Sequence, residues 1–178
     1  MAFRLYGTRI DWLAEAERSR SGEILVIPAN DHLWMLNGPG LELKKGGGKE
    51  LEIEAVRLGP IEAGQVVATS GAAIGFRSLY HAAVMAQDAT WIEGAGRRAM
   101  AEIVERSVRE KAIEIICYPL YRGVHGRKEA PAAEMLAGLF GAVREGIPLK
   151  QVRVLYQTPE EKSMLHGTFL QLLSRPES

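Results

Sequence analysis

The chain has 178 residues, close to half of them apolar, and its 22 basic side chains balance 22 acidic ones. That length suits one domain with a sizeable core, and the even charge lacks the basic excess that general nucleic-acid binding uses, so a nucleic-acid partner is not expected. The single cysteine, Cys117, excludes an internal disulfide framework and a cysteine-built zinc cluster.

No apolar run approaches the ~18 residues of a membrane span, and the first residues hold no apolar stretch of signal-peptide length. A cytoplasmic protein away from the membrane is therefore expected. His32, His81, His125 and His166 do not stand at HxxH or HExxH spacing, so no metal site is expected.

In chain order, "FRLY" (Phe3–Tyr6) reads as an edge strand. "DWLAEAERSR" (Asp11–Arg20) reads as a helix, with Asp11 as its N-cap. "EILVIPAN" (Glu23–Asn30) is a buried strand, and "GKELEIEAVRLG" (Gly48–Gly59) an amphipathic helix with Leu51, Ala55 and Leu58 on one face. Strands over Gln65–Ser70 and Ser78–Met85 follow each other without a helix, which points to an antiparallel pair. A long helix over Trp91–Lys111, a strand over Ala112–Leu120, a helix over Ala130–Gly146, a strand over Gln151–Gln157 and a helix over Pro159–Arg175 complete the chain. The alternation predicts an α/β fold, a mixed sheet of about six strands covered on both faces, as one domain over residues 1–178.

In such sheets ligands sit beyond the carboxyl ends of the parallel strands. Three irregular segments fall there, "PANDHLWMLNGPG", "PLYRGVHGR" and the shorter "LYQTP". "LYRGVHGR" can form a nest of backbone N–H groups for an anion, with Gly123 and Gly126 supplying the unusual dihedrals and Arg122, Arg127 and Lys128 nearby charge. It can equally be a plain strand-to-helix turn. In "NGPGLELKKGGG", Gly38 and Gly40 would let a second backbone segment approach a phosphate, whereas Gly46–Gly48 reads as a helix end or a turn. Asn30 closes a buried strand, and its side chain either caps the next segment or points into the crevice.

"ILVIPAN", the glycine-bearing loop, "GGGKELEIEAVRLGPIEAGQVVATSGA", "LYHAA" and "YPLYRGVHGRKEAPAAEML" together resemble, in order and spacing, the macro domain family over about residues 3 to 172. The resemblance implies a three-layer α/β/α fold binding ADP-ribose or a related nucleotide, without a cofactor, with ADP-ribosylated protein as a further partner. It assigns the first diphosphate loop to Gly38, Gly40 and Leu41 and the second to Arg122, Gly123, Val124, His125 and Gly126. Asn30 matches the asparagine that faces the distal ribose. Tyr156 lies where an aromatic stacks on adenine, although a rim aromatic under the last helix reads as well. His81 matches a family histidine and reads as a buried structural residue.

The departures from the family matter too. With Ile10 as the family isoleucine in "YGTRIDW", Arg9 stands in place of the family aspartate that reads adenine and Asp11 lies a residue or two away from it; Arg122 replaces a small hydroxyl residue. Arg9 and Arg122 suit an extra phosphate better than an amino-bearing base edge. In one hydrolytic class an aspartate works with the asparagine, and here Glu42 holds that position. The resemblance thus implies two outcomes. In one, Asn30 and Glu42 hydrolyse ADP-ribosyl conjugates, of mono-ADP-ribose or O-acetyl-ADP-ribose type. In the other the protein only binds. The alternatives are a degenerate fold for another nucleotide or an RNA end, or a non-catalytic interaction module. Trp34, Met35 and Leu36 fit a lid, a dimer contact or loop packing.

Overall fold

The computed structural model describes residues 2–175; the outermost residues of the expected 1–178 domain lie outside that range. Seven strands form one sheet in the order β1-β2-β7-β6-β3-β5-β4. They are β1 (Phe3–Leu5), β2 (Thr8–Ala14), β3 (Gly22–Asn30), β4 (Val66–Ser70), β5 (Phe76–Met85), β6 (Glu114–Cys117) and β7 (Gln151–Tyr156). The inner strands β2, β7, β6, β3 and β5 are mutually parallel, and β1 and β4 close the two edges antiparallel. The helices are α1 (Gly38–Gly47), α2 (Glu50–Val56), α3 (Ala95–Arg109), α4 (Glu129–Ala142) and α5 (Pro159–Leu173). This is the expected mixed α/β sheet with one strand more.

The additional strand is β2, where a helix over Asp11–Arg20 is expected from the sequence. Helix formers in "AEAER" and a capping aspartate suggest that helix, but the residues before them alternate. Thr8, Ile10 and Trp12 are buried while Arg9 and Asp11 face the other way. A period of two places one row on each sheet face. The helix formers contribute only a three-residue turn, Glu15–Glu17.

The same alternation sorts the core into two layers. In β3, Ile24 and Val26 join the cluster under α3, α4 and α5. Leu25 and Ile27 join a smaller cluster with Met35 and with Leu43 and Leu51 of α1 and α2. Each such fully buried aliphatic side chain contributes about 1.5–3 kcal/mol. Helices α2, α3 and α5 lie within the expected spans, trimmed at their ends; α4 runs over Glu129–Ala142 against the expected Ala130–Gly146, and α1 forms in a segment expected as a glycine-bearing loop. Leu58 falls beyond α2 and is exposed, whereas Leu51 and Ala55 are buried as expected.

Pro28 stands in a central strand, where a proline normally removes a ladder bond. Pairing of β3 with β6 ends at Val26 opposite Cys117, and Tyr118 donates its N–H to the Val26 carbonyl at 3.0 Å. The missing N–H of Pro28 therefore falls beyond the end of the β6 ladder. At the far edge, a backbone group at each end of β4 is engaged by a charged side chain. The Val66 carbonyl accepts from Arg106 at 3.0 Å, and the Ser70 N–H donates to Glu54 at 2.8 Å.

Candidate functional site

The carboxyl ends of β3 and β6 lead into two loops that meet. The first runs from Asn30 to α1. Its tight start is held by one side chain. Asn30 is buried, its Oδ1 accepts the N–H groups of His32 at 3.1 Å and Trp34 at 3.2 Å, and its Nδ2 donates to the Trp34 carbonyl at 2.9 Å. The turn forces Leu33 to φ +64°. Farther along, the Met35 N–H donates to Glu52 at 2.6 Å, and Lys44 pairs with the same carboxylate at 2.9 Å. Met35 thus packs into the core, while Trp34 and Leu36 on either side of it are exposed; the expectation of loop packing holds for the middle residue alone.

The second loop follows β6. Arg122 N–H donates to Pro119, Val124 N–H to Tyr121 and His125 N–H to the Ala89 carbonyl, at 2.9–3.0 Å. Val124 is buried, and His125 and Gly126 are exposed. Gly123 and Gly126 adopt φ +85° and +88°, a region glycine enters without steric cost.

The loops touch at Gly38 and Gly123. A Cβ on Gly38, itself at φ +55°, would lie 3.2 Å from the Arg122 carbonyl oxygen and 3.3 Å from Gly123 Cα. One on Gly123 would lie 3.2 Å from Gly38 Cα. Asn37, the N-cap of α1, does not cap with its side chain; its Nδ2 reaches across to the Gly123 carbonyl at 3.1 Å. The α1 terminus takes one backbone bond there, Leu41 to Asn37 at 3.3 Å, and Pro39 has no N–H to offer. Among the described residues, the N–H groups of Gly38, Gly40, Gly123 and Gly126 have no partner within the protein. A helix start with unengaged donors favours an anion.

The other expected site residues fall as follows. Leu41 is half-buried in the first turn of α1. Glu42 is exposed on that helix and pairs with Lys45 at 3.1 Å; it makes no contact with Asn30. Tyr156 ends β7 opposite Ala14, half-buried, with the Lys162 ammonium 5.3 Å from its ring centre. Arg9 lies at the start of β2, opposite Gln151 at the start of β7, and bonds Asp11 at 3.0 Å. It is therefore at the amino ends of the strands, away from the loops. The carboxyl end of β2 is Ala14, and Glu15 follows it.

Arg122 is buried and bonded through both terminal nitrogens, one to the two Glu161 oxygens at 3.0 Å and the other to Glu15 at 2.8 Å. The extra positive charge expected from Arg9 and Arg122 is thus absent from the crevice. His81 is fully buried on β5, 2.9 Å from the Thr69 hydroxyl, and its Nδ1 has no partner. Burial alone pushes its pKa down to about 4. Cys117 is buried and free, and burial raises its thiol above the usual range.

Sequence reasoning misses Asn37, Glu15 and Glu161. The T-P-E-E stretch at 158–161 does signal a helix start, and Thr158 accepts the Glu161 N–H at 3.2 Å. The Glu161 carboxylate, however, turns away from the reciprocal cap to Arg122, to the Tyr121 hydroxyl at 3.0 Å and to the Gln157 N–H at 2.7 Å.

The Macro domain family profile matches residues 26–136, more than half of the chain. The chain belongs to the macro domain family. A protein of Aeropyrum pernix is 32% identical over 124 residues, covering 65% of this chain and 66% of that one. One of Aquifex aeolicus is 31% identical over 116 residues, 64% of this chain and 70% of that one; the match therefore spans about two thirds of these relatives. Among solved structures, a mutant Oceanobacillus iheyensis macrodomain with ADP-ribose superposes at a TM-score of 0.81, with 15% identity over 98% of this chain and 99% of that one. A Trypanosoma brucei macrodomain in complex with ADP-ribose gives 0.70, with 14% identity over 93% and 69%. No helix among the described residues is long and apolar enough to cross a membrane.

Proposed function

We propose that the protein binds ADP-ribose or a related nucleoside diphosphate, and that it binds without hydrolysing. The carrying observation is the approach of Gly38 to Gly123 at the start of α1, with four unengaged glycine N–H groups around it. Four neutral donors beside a helix terminus suit a diphosphate, whose charge is spread over several oxygens. Leu41 and Val124 would wall the crevice, His125 would lie over the ribose, and Tyr156 would offer its free face on the adenine side. The similar structures with ADP-ribose and ADP support the same reading.

The site residues favour a reader over a hydrolase. Both polar atoms of the Asn30 side chain are committed to the loop, and the Glu42 carboxylate faces solvent beside Lys45. To activate water together, the first would have to release its loop and the second to leave the surface. A general base must be within hydrogen-bond reach of the proton it takes.

Calorimetric titration with ADP-ribose, ADP, AMP and ribose 5-phosphate tests the binding. ADP-ribose and ADP should bind, and the two monophosphates should be much weaker. Equal affinity for AMP and ADP would remove the diphosphate cradle. On a mono-ADP-ribosylated protein and on the acetyl ester of ADP-ribose, no turnover is expected. Turnover lost in Glu42→Gln would restore Glu42 to catalysis.

A further inference from the structure

We infer that Arg122, although it stands in the phosphate loop, is a positioning residue: with Glu161 and Glu15 it forms an ionic latch that fixes the second loop, and it does not itself contact the ligand. The inference rests on the reading of that loop as the diphosphate cradle.

The geometry separates the two parts of the residue. The Arg122 backbone lies against Gly38, since its carbonyl oxygen is the nearest atom to a Cβ built there. Its side chain leaves in another direction, into a pocket of carboxylates. Glu161 takes both NH2 bonds at 3.0 Å, and Glu15 takes NH1 at 2.8 Å. The Arg122 and Glu161 side chains retain 10% and 12% of their exposure, so the pair is largely desolvated.

Two carboxylates around one guanidinium leave the cluster with net negative charge. That environment holds an arginine and repels a phosphate. An arginine drawn from it to a diphosphate would leave the largely desolvated Glu161 carboxylate, and the partly exposed Glu15 beside it, uncompensated, which is costly.

The latch also joins three elements. Glu15 follows β2, Arg122 follows β6, and Glu161 sits in the first turn of α5. Glu161 additionally accepts from the Tyr121 hydroxyl and the Gln157 N–H, so one carboxylate holds two consecutive residues of the loop and the end of β7. One terminal nitrogen of the guanidinium takes both Glu161 oxygens and the other takes Glu15, so the rigid planar fork spans two carboxylates at a fixed angle, which the single ammonium of a lysine does not reproduce. Immediately after this anchor comes Gly123, whose N–H the cradle uses. A loop with two positive-φ glycines needs such an anchor, because glycine leaves the backbone free to wander.

The test uses Glu161→Gln and Arg122→Lys, each confirmed folded by its near-ultraviolet circular dichroism. A latch predicts the same sign in both. ADP-ribose affinity should fall about tenfold through lost preorganisation, and amide hydrogen exchange over residues 121–126 should quicken while α3 stays unchanged. If Arg122 were a phosphate ligand restrained by acid, Glu161→Gln would tighten ADP-ribose binding and Arg122→Lys would stay near wild type; that result overturns the inference. Faster exchange with unchanged affinity would overturn the positioning role. Unchanged exchange in both variants would overturn the latch itself. Should the wild type bind no ADP-ribose, the proposed function fails alone, and the exchange measurement still decides the latch.

Discussion

The two loops of the crevice present similar glycines and are held by opposite means. The first depends on neutral chemistry close in sequence, an asparagine amide bonding residues two and four positions on. The second depends on an arginine whose partners stand 107 and 39 residues away. A local clamp forms with its own turn. A distant ionic clamp forms only when β2, β6 and α5 are already assembled. Similar ligand surfaces can therefore differ in what disturbs them.

Acid should have the largest effect. His81 lies opposite Ile27 of β3, the strand that carries the first loop, and is kept neutral in the folded state by burial, with its pKa lowered from 6.5 to about 4. The unfolded chain takes up that proton first. Stability is therefore full above pH ~6.5 and is lost as the pH falls toward 4, by about 3 kcal/mol. Urea titrations at pH 7 and pH 4 should show the loss in wild type and a smaller one in His81→Asn. An equal loss in both would place the acid sensitivity elsewhere.

Next comes the contact where the loops meet. Gly123→Val introduces a β-branched side chain at φ +85° with Gly38 backbone 3.2 Å away. Affinity for ADP-ribose should fall about 100-fold, the scale of a misplaced binding group, with the fold retained. Full affinity in a variant shown to keep its loop conformation would break the proposed role of Gly123.

Asn30→Ala should act on the first loop alone. It leaves the His32 and Trp34 N–H groups without their acceptor, at a cost of about 1–3 kcal/mol in denaturant stability. Exchange should quicken over residues 31–36 and not over 121–126. If both loops loosen together, they are one unit and the contrast drawn above is wrong. Smallest of all is Glu42→Gln, an exposed helix pair with Lys45. It should change stability by less than about 0.5 kcal/mol and leave ADP-ribose affinity unaltered in the same titration.

Much of the fold was legible because it is written locally. The apolar run of β3, the glycine pairs and the alternation of strands and helices need no distant partner to be read. The β2 strand was legible in Ile10 and Trp12 but was outweighed by the helix formers behind them. The resemblance sets Arg9 at the adenine position, whereas the parallel register with β7 puts Arg9 at the amino ends of the strands and Ala14 at the carboxyl end of β2. Arg122 shows the other limit. Its position in the loop was readable, but the direction of its side chain is set by carboxylates that no local pattern connects to it. Asn37, which sequence reasoning passes over, stands at the N-cap of α1, and its side chain bridges the loops by a bond to a residue 86 positions away.

The outward side of β4 bears on how copies of this chain meet one another. A sheet ends safely only if its last strand is a poor template for another. Here the first outward carbonyl is occupied by Arg106 and the last outward N–H by Glu54, so a strand from a second copy would have to break two charge-assisted bonds before making its own. The opposite border, β1, has only three residues. Growth of the sheet by strand addition is thus obstructed at one side and given little length at the other, which protects a chain with no net charge from stacking into ordered aggregates when crowded.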